Sequence, residues 1–199
     1  MAIHLQKGQR IALDQAASGL ERLWCSLGWD VAERPEGVRG FFVEQHDCDL
    51  DVTVVCLNAS QCLGQDEDVI YFGNLRHPSG AITHMGDHLT GGGQGDNEQI
   101  VVELGKVPAT IQTLVFIVNI YRCYDRHQDF SDIHNAFIRL VDRATEQEIA
   151  RYHLSGSHHK GMTALKMIAL QRLAQGWEVM ALGEGMQVAG LKEIIDSYR

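Results

Sequence analysis

The stretch from Met85 to Glu98, M-G-D-H-L-T-G-G-G-Q-G-D-N-E, can be neither a stable helix nor a strand. It carries five glycines in fourteen residues, and glycine loses more conformational freedom on ordering than any other residue. It is therefore a loop, and one able to fold tightly, because glycine reaches positive φ without steric cost. Tight folding would return Asp87 to the side of Asp96 and Glu98. Two unit charges about 4 Å apart repel by roughly 4 kcal/mol at an effective dielectric of about 20. Gathered carboxylates need protons, a basic partner or a cation, and no Lys or Arg lies between Arg76 and Lys106. Hard oxygen donors on an irregular loop suit calcium, which accepts about six to eight oxygens in flexible geometry. A solvated acidic hairpin loop is the competing reading, and composition alone favours it.

The segments around the loop read as short strands. Arg10 to Asp14 alternates, and Arg22 to Trp29 is apolar and aromatic up to Gly28-Trp29-Asp30. Val31 to Gly40 is charged and carries Pro35 and Gly37, which makes it a turn. Val52 to Leu57 is β-branched and apolar, so it reads as a buried strand. Asp49 and Asp51 precede or open it two residues apart, on one face. Two acids there can form half of a cation site or simply mark an exposed strand end. Val69 to Phe72 and Gln99 to Leu104 read as further strands, and Leu114 to Tyr121, the most hydrophobic stretch, as the central one. Ala136 to Asp142 and Glu148 to Leu154 flank a polar turn and form a hairpin. Thr163 to Leu173 has helix-forming composition, but pairing with Trp177 to Leu182 across Gln175-Gly176 is the preferred reading. Val188 to Tyr198 reads as a C-terminal helix with Leu191, Ile194 and Ile195 on one face. Strands at regular spacing, with no βαβ pattern, give a mostly β chain: a single-domain antiparallel β-sandwich over residues 1 to 199 with short helices.

Charge and cysteine usage narrow the function. The formal net charge is −9, which opposes an electrostatic grip on nucleic acid or an anionic bilayer unless a cation bridges. No apolar run is long enough for a transmembrane helix, and Met1 to Arg10 has no signal-peptide core. The five cysteines, Cys25, Cys48, Cys56, Cys62 and Cys123, are odd in number with no C-x-x-C pair, which fits reduced thiols in a cytoplasmic protein. Cys25 and Cys56 lie in apolar strands and read as core. There is no G-x-S-x-G elbow, no phosphate-binding glycine loop with G-K-[S/T], and no EF-hand pattern. Gly183-x-Gly185 has the wrong spacing for a dinucleotide fingerprint and reads as a turn. His153, His158 and His159 could hold a soft metal but read more simply as an exposed loop. His84 and His88 flank Asp87, and a histidine ligand would favour zinc, yet oxygens outnumber them.

Together these segments resemble the TerD family of bacterial tellurium-resistance and stress-response proteins. Leu27-Gly28-Trp29-Asp30 resembles the family's G-L-G-W-D, and Asp49-Leu50-Asp51 its D-L-D strand. Tyr71-Phe72-Gly73-Asn74-Leu75 resembles its F-Y-N-N-L. Gly86-Asp87, Thr90-Gly91 and Gly95-Asp96-Asn97-Glu98-Gln99-Ile100 resemble its G-D-N-x-T-G-x-G-x-G-D-D-E-Q-I. Asn135 to Arg139 and Ile149 to Tyr152 match its closing hairpin. The resemblance implies a cytoplasmic β-sandwich that binds one or two calcium ions near one end, through Asp30, Asp49, Asp51, Asn74, Asp87, Asp96 and Glu98. It implies partners among other stress-response or tellurium-resistance proteins, in complexes near the membrane, with no direct nucleic-acid binding and no established catalysis. Four positions depart from the pattern: His88, Gly92, Asn97 and Gly73 replace amide or acidic donors, which lowers ligand count and charge. The C-terminal Gln187-Val188-Ala189-Gly190-Leu191 departs from G-G-L-A-G-L. An enzyme is the alternative, either a thiol-dependent detoxifying reductase or a metal-assisted hydrolase with His84 or His88 as base.

Overall fold

A computed structural model describes residues 2–31, 48–86, 98–154 and 159–199; for Asp30, Val31, Asp132 and His134 it describes the backbone alone. Two six-stranded sheets face each other. The first runs β1 (Ile3–Leu5), β10 (Glu148–His153), β9 (Ile133–Asp142), β3 (Arg22–Val31), β7 (Glu98–Glu103), β6 (Ile82–His84). The second runs β2 (Arg10–Ala12), β12 (Trp177–Met186), β11 (Ala164–Arg172), β8 (Thr113–Ile120), β4 (Leu50–Leu57), β5 (Val69–Ile70). Pairing is antiparallel apart from β1 beside β10. The mostly β sandwich expected from the strand spacing is what the chain forms.

Side-chain parity explains the burial. On β4 and β8, Leu50, Val52, Val54, Cys56, Leu114, Phe116, Val118 and Ile120 point at the other sheet and join the main core. Their alternates Val55, Leu57, Val115 and Ile117 form a second apolar cluster on the outer face. All eight residues of β8 are buried, so a strand covered on both sides reads as a continuous apolar run. The outer cluster is covered by the C-terminal helix α3 (Leu191–Asp196), through Leu191 and fully buried Ile194, and by Tyr198 just after it. This helix is shorter than its apolar spacing suggests. Val188 is held by Thr163, whose Oγ accepts Val188 N–H at 2.8 Å and donates to Val188 O at 2.6 Å. The turn of helix therefore begins only after Gly190, where the Glu193 carboxylate accepts Ala189 N–H at 2.9 Å. The far end is tied down where Leu63 N–H donates to Tyr198 O at 2.7 Å. Burial, with the charge of Glu184, pushes the Tyr198 phenol up to about 12.

Three local readings are corrected by backbone hydrogen bonds. Arg10 to Asp14 is strand only to Ala12, because Ala17 N–H donates to Leu13 O and closes one helical turn, α1 (Leu13–Ala16). Val69 to Phe72 is strand only to Ile70. Tyr71 and Asn74 exchange backbone hydrogen bonds at 3.1 and 2.9 Å and turn the chain. Gly183 and Gly185 lie within β12 rather than in a turn. Gly183 has φ +57° beside a bulge opposite Met167, and a Cβ there would lie 2.0 Å from the Tyr152 hydroxyl. Glycine at that point lets Tyr152, from the opposing sheet, reach across the core.

Candidate functional site

The described candidate ligands Asp49, Asp51 and Glu98 lie at one end of the sandwich, where β4, β7 and β8 start or stop. Trp29, buried near the end of β3, donates Nε1–H to Cys48 O at 3.3 Å and so fixes the entry to β4. Tyr121 N–H donates to Asp49 O at 2.8 Å, extending the β4–β8 pairing by one step. Asp49 is half-buried, and Asp51, the second residue of β4, is 5% exposed.

Asp51 shares the parity of Val55 and Leu57, so it stands on the outer face of the second sheet. Its register partner on β8 is Asn119, also 5% exposed, whose Nδ2 lies 3.4 Å from Asp51 Oδ2. Asn119 Oδ1 has no hydrogen-bond partner among the described residues. This amide stands in none of the motifs that name the expected ligands. The available signal was that Asn119 is the lone polar side chain inside the apolar run Leu114 to Ile120, and a buried amide needs a reason to be there.

Glu98 behaves differently. It shares the parity of Ile100 and Val102 and points between the sheets. Its Oε2 accepts the backbone N–H of Val52 at 2.5 Å, so a side chain of the first sheet satisfies a donor of the second. His84, 2% exposed, places Nε2 3.9 Å from the same oxygen, and its Nδ1 accepts Gly86 N–H at 3.1 Å. That bond puts the ring proton on Nε2, toward Glu98, and takes Nδ1 away from metal ligation. Asn74 is half-buried, and its Nδ2 donates to Val69 O at 2.8 Å and Glu67 O at 3.4 Å, bracing the turn after β5. Gly73, where the family pattern has Asn, fits under the Tyr71 ring; a Cβ there would lie 2.5 Å from ring carbon Cε2.

Of the seven expected ligands, Asp51 and Glu98 thus leave β4 and β7 toward opposite faces of the second sheet. Asp87, Asp96 and the Asp30 side chain lie outside the described residues, as does His88. Among the described residues no three His, Cys, Asp or Glu side chains converge as a metal site. The donors that are described, Asp51 and the Asn119 carbonyl, are hard oxygens of the kind that calcium takes.

Two arrangements bear on catalysis. Asp68 Oδ1, His77 Nε2, His77 Nδ1 and Ser79 Oγ form a line, at 3.1 and 2.7 Å, that has the look of an acid–base–nucleophile relay. Ser79 N–H also donates to Nδ1 at 3.1 Å, and Ala81 N–H donates to Ser79 Oγ at 3.1 Å. The hydroxyl and ring therefore close the turn at Pro78, and the line is a brace. None of the five cysteines is in a disulfide. Burial raises the Cys25 thiol far above the usual thiol range, and burial together with the Asp68 charge does the same for Cys56. Neither forms the thiolate that reduction requires. Cys62 is half-buried while the other four are buried. Iodoacetamide should modify the native protein at Cys62 alone, and all five sites after unfolding, as read by mass spectrometry. Rapid native modification of Cys25 or Cys56 would reopen a thiol mechanism.

Comparison with known proteins accords with this fold. A family model described as the TerD domain matches residues 1–198. The chain is 41% identical to the stress response protein SCP2 of Bacillus subtilis (strain 168), over an alignment covering 100% of each. It is 33% identical to the tellurium resistance protein TerD of Serratia marcescens, covering 100% of this chain and 97% of that one. The crystal structure of a telluride-resistance protein homologue from Streptomyces coelicolor A3(2) superposes with a TM-score of 0.65. That match covers 85% of this chain and 92% of that one at 23% identity, and speaks to the fold alone.

Proposed function

This chain belongs to the TerD domain family, and on that premise we propose that it is a cytoplasmic calcium-binding stress-response protein of the tellurium-resistance type, acting through partners rather than by catalysis. The observation that carries this reading is the buried Asp51–Asn119 pair at the adjoining ends of β4 and β8. A carboxylate and an amide carbonyl held there are two hard donors on paired strands. Asp49, Asp87, Asp96 and the loop carbonyls would complete the shell, with Asp30, Asn74 and Glu98 as the remaining family-type donors. In such a shell the ion supplies charge neutralisation and order. The chain's own residues fix where the donors stand. Glu98 contributes by tying β7 of the first sheet to β4 of the second through Val52 N–H, whether or not an oxygen of it reaches the ion.

No helix among the described residues is long and apolar enough to cross a membrane. The test is a calorimetric calcium titration of chelator-treated protein. Wild type should bind one or two ions. Asp51→Asn, which removes a ligand charge and keeps an oxygen, should weaken binding by at least about tenfold. Asp14→Asn, exposed at the other end of the sandwich, should bind as wild type does. A wild type that takes up no calcium, or an Asp51→Asn protein indistinguishable from it, would remove the reading.

A further inference from the structure

The end of the sandwich away from Asp51 holds a cavity of about 480 Å³. It lies where β11 ends at Arg172 and β12 begins at Trp177, with α1 and the turn after β7 completing its wall. Leu13, Leu20, Leu104 and Leu173 give it apolar sides. Leu13 and Leu104 are buried, whereas Leu173 is one of the few large apolar side chains that stand exposed. The volume lies within the range of roughly 300–1,000 Å³ typical of ligand pockets.

Arg172 is the cation of this wall. Its Nε donates to Ile111 O at 3.1 Å, and its Nη2 to Val107 O and Pro108 O at 2.9 and 3.2 Å. The guanidinium also lies over the Trp177 ring, 4.4 Å from the centroid. Three carbonyls and a ring face fix the group in place but leave its charge whole, since none of them is a counter-ion. No carboxylate among the described residues pairs with it, and Nη1 donates to no described residue. Burial pulls its pKa below the usual arginine range, with no acidic neighbour to offset it. A half-buried charge without a counter-ion is costly, and a ligand that supplies one recovers that cost.

Asp14, the second residue of α1, brings the opposite sign to the same lining. A Cβ on Gly176, in the turn that follows Arg172, would stand 3.8 Å from Asp14 Cβ and Cγ, so the acid rests against that turn. Asp14 has no ion partner among the described residues, Arg172 included. Two opposite charges that share a cavity without pairing complement a small molecule that carries both signs.

We propose that this cavity binds a free α-amino acid with an aliphatic side chain. The ligand's carboxylate accepts from Arg172 Nη1, its ammonium donates to Asp14, and its side chain lies against Leu20, Leu104 and Leu173. The site stands at the other end of the sandwich from the calcium donors and uses none of them.

The test is a nuclear magnetic resonance titration of the full-length ¹⁵N-labelled chain, in chelator and about 0.15 M salt so that diffuse charge attraction is screened. The probes are L-leucine, isocaproate, which is leucine without its ammonium, and isoamylamine, which is leucine without its carboxylate. Leucine should shift the Arg172 Nε–H, the Trp177 indole N–H and the Leu173 and Gly176 backbone amides saturably. Each single-charge analogue should bind at least about tenfold more weakly, because one charged hydrogen bond is lost. Asp14→Asn, altered only at an exposed side chain, should keep a folded spectrum and bind leucine about tenfold or more weakly. It should bind isocaproate no worse than wild type does, since that probe has no ammonium for Asp14 to accept from. Leucine matched by either analogue, shifts elsewhere on the surface, no saturable shift, or full leucine binding by Asp14→Asn would each overturn the proposal. Loss of leucine and isocaproate alike in Asp14→Asn would overturn it too. Because calcium is absent throughout, failure here and failure of the calcium reading are separate results.

Discussion

Glu98→Ala should lower the stability of the calcium-free protein by about 3 kcal/mol. The carboxylate is 1% exposed and its Oε2 accepts Val52 N–H across the gap between the sheets. Truncation leaves that buried N–H without its acceptor, a penalty of about 1–3 kcal/mol, and opens a void where β4 and β7 meet. The opposing effect is relief from burying a carboxylate, which alone can favour removal. It loses here, because the amide left behind cannot reach water and His84 beside it loses its acidic neighbour. Glu98→Gln keeps an oxygen at Val52 and should cost only about 1 kcal/mol. Urea unfolding in chelator measures both: the midpoint for Glu98→Ala should fall at unchanged slope, and well below that of Glu98→Gln. Equal midpoints for Glu98→Ala and wild type would show that the Val52 contact holds nothing together.

Calcium should raise stability by about 2.7 kcal/mol at a hundredfold excess over its dissociation constant. If Asp49, Asp51, Asp87 and Asp96 converge as proposed, the ion-free protein holds like charges close together, each pair at about 4 Å repelling by roughly 4 kcal/mol at an effective dielectric of about 20. On that reading the native state alone would gather these donors, and the ion would bind it far better than the unfolded chain. Magnesium should substitute poorly, since it demands a small octahedral shell and gives up water reluctantly. Asp96→Asn removes one of the charges. It should weaken the calcium effect while slightly raising the stability of the ion-free protein.

Most of the sheet architecture is legible in the residues because burial writes it there. Leu114 to Tyr121 reads as the central strand because β8 is covered on one side by the other sheet and on the other by α3. The Ala136–Asp142 and Glu148–Leu154 hairpin follows from alternation about a polar turn. Thr163 to Leu173 has helix-forming composition, yet it pairs on both edges, with β8 and β12; tertiary pairing overrides local propensity. Boundaries are less legible where a side chain decides them, as Thr163 does at Val188. The candidate site divides in the same way. Asp51 is marked by its motif, but its burial on the outer face of the second sheet is not. Asn119 sits 68 residues away in sequence, and only the register of β4 against β8 puts it beside Asp51. Glu98 stands in the motif as a ligand, but nothing in the sequence says that its carboxylate reaches Val52. The brace of Asp68, His77 and Ser79 is equally silent, because a turn residue's partner on another segment leaves no local pattern.

The central claim is that acidic oxygens at this end of the sandwich converge on calcium. Its most direct measurement is the melting temperature of the wild-type protein in millimolar calcium, in millimolar magnesium and in chelator. The account predicts a rise of roughly 5 to 11 °C with calcium over chelator at a hundredfold excess, and a much smaller one with magnesium. Identical melting in calcium and in chelator would mean that the acids are merely solvated, and would contradict the account.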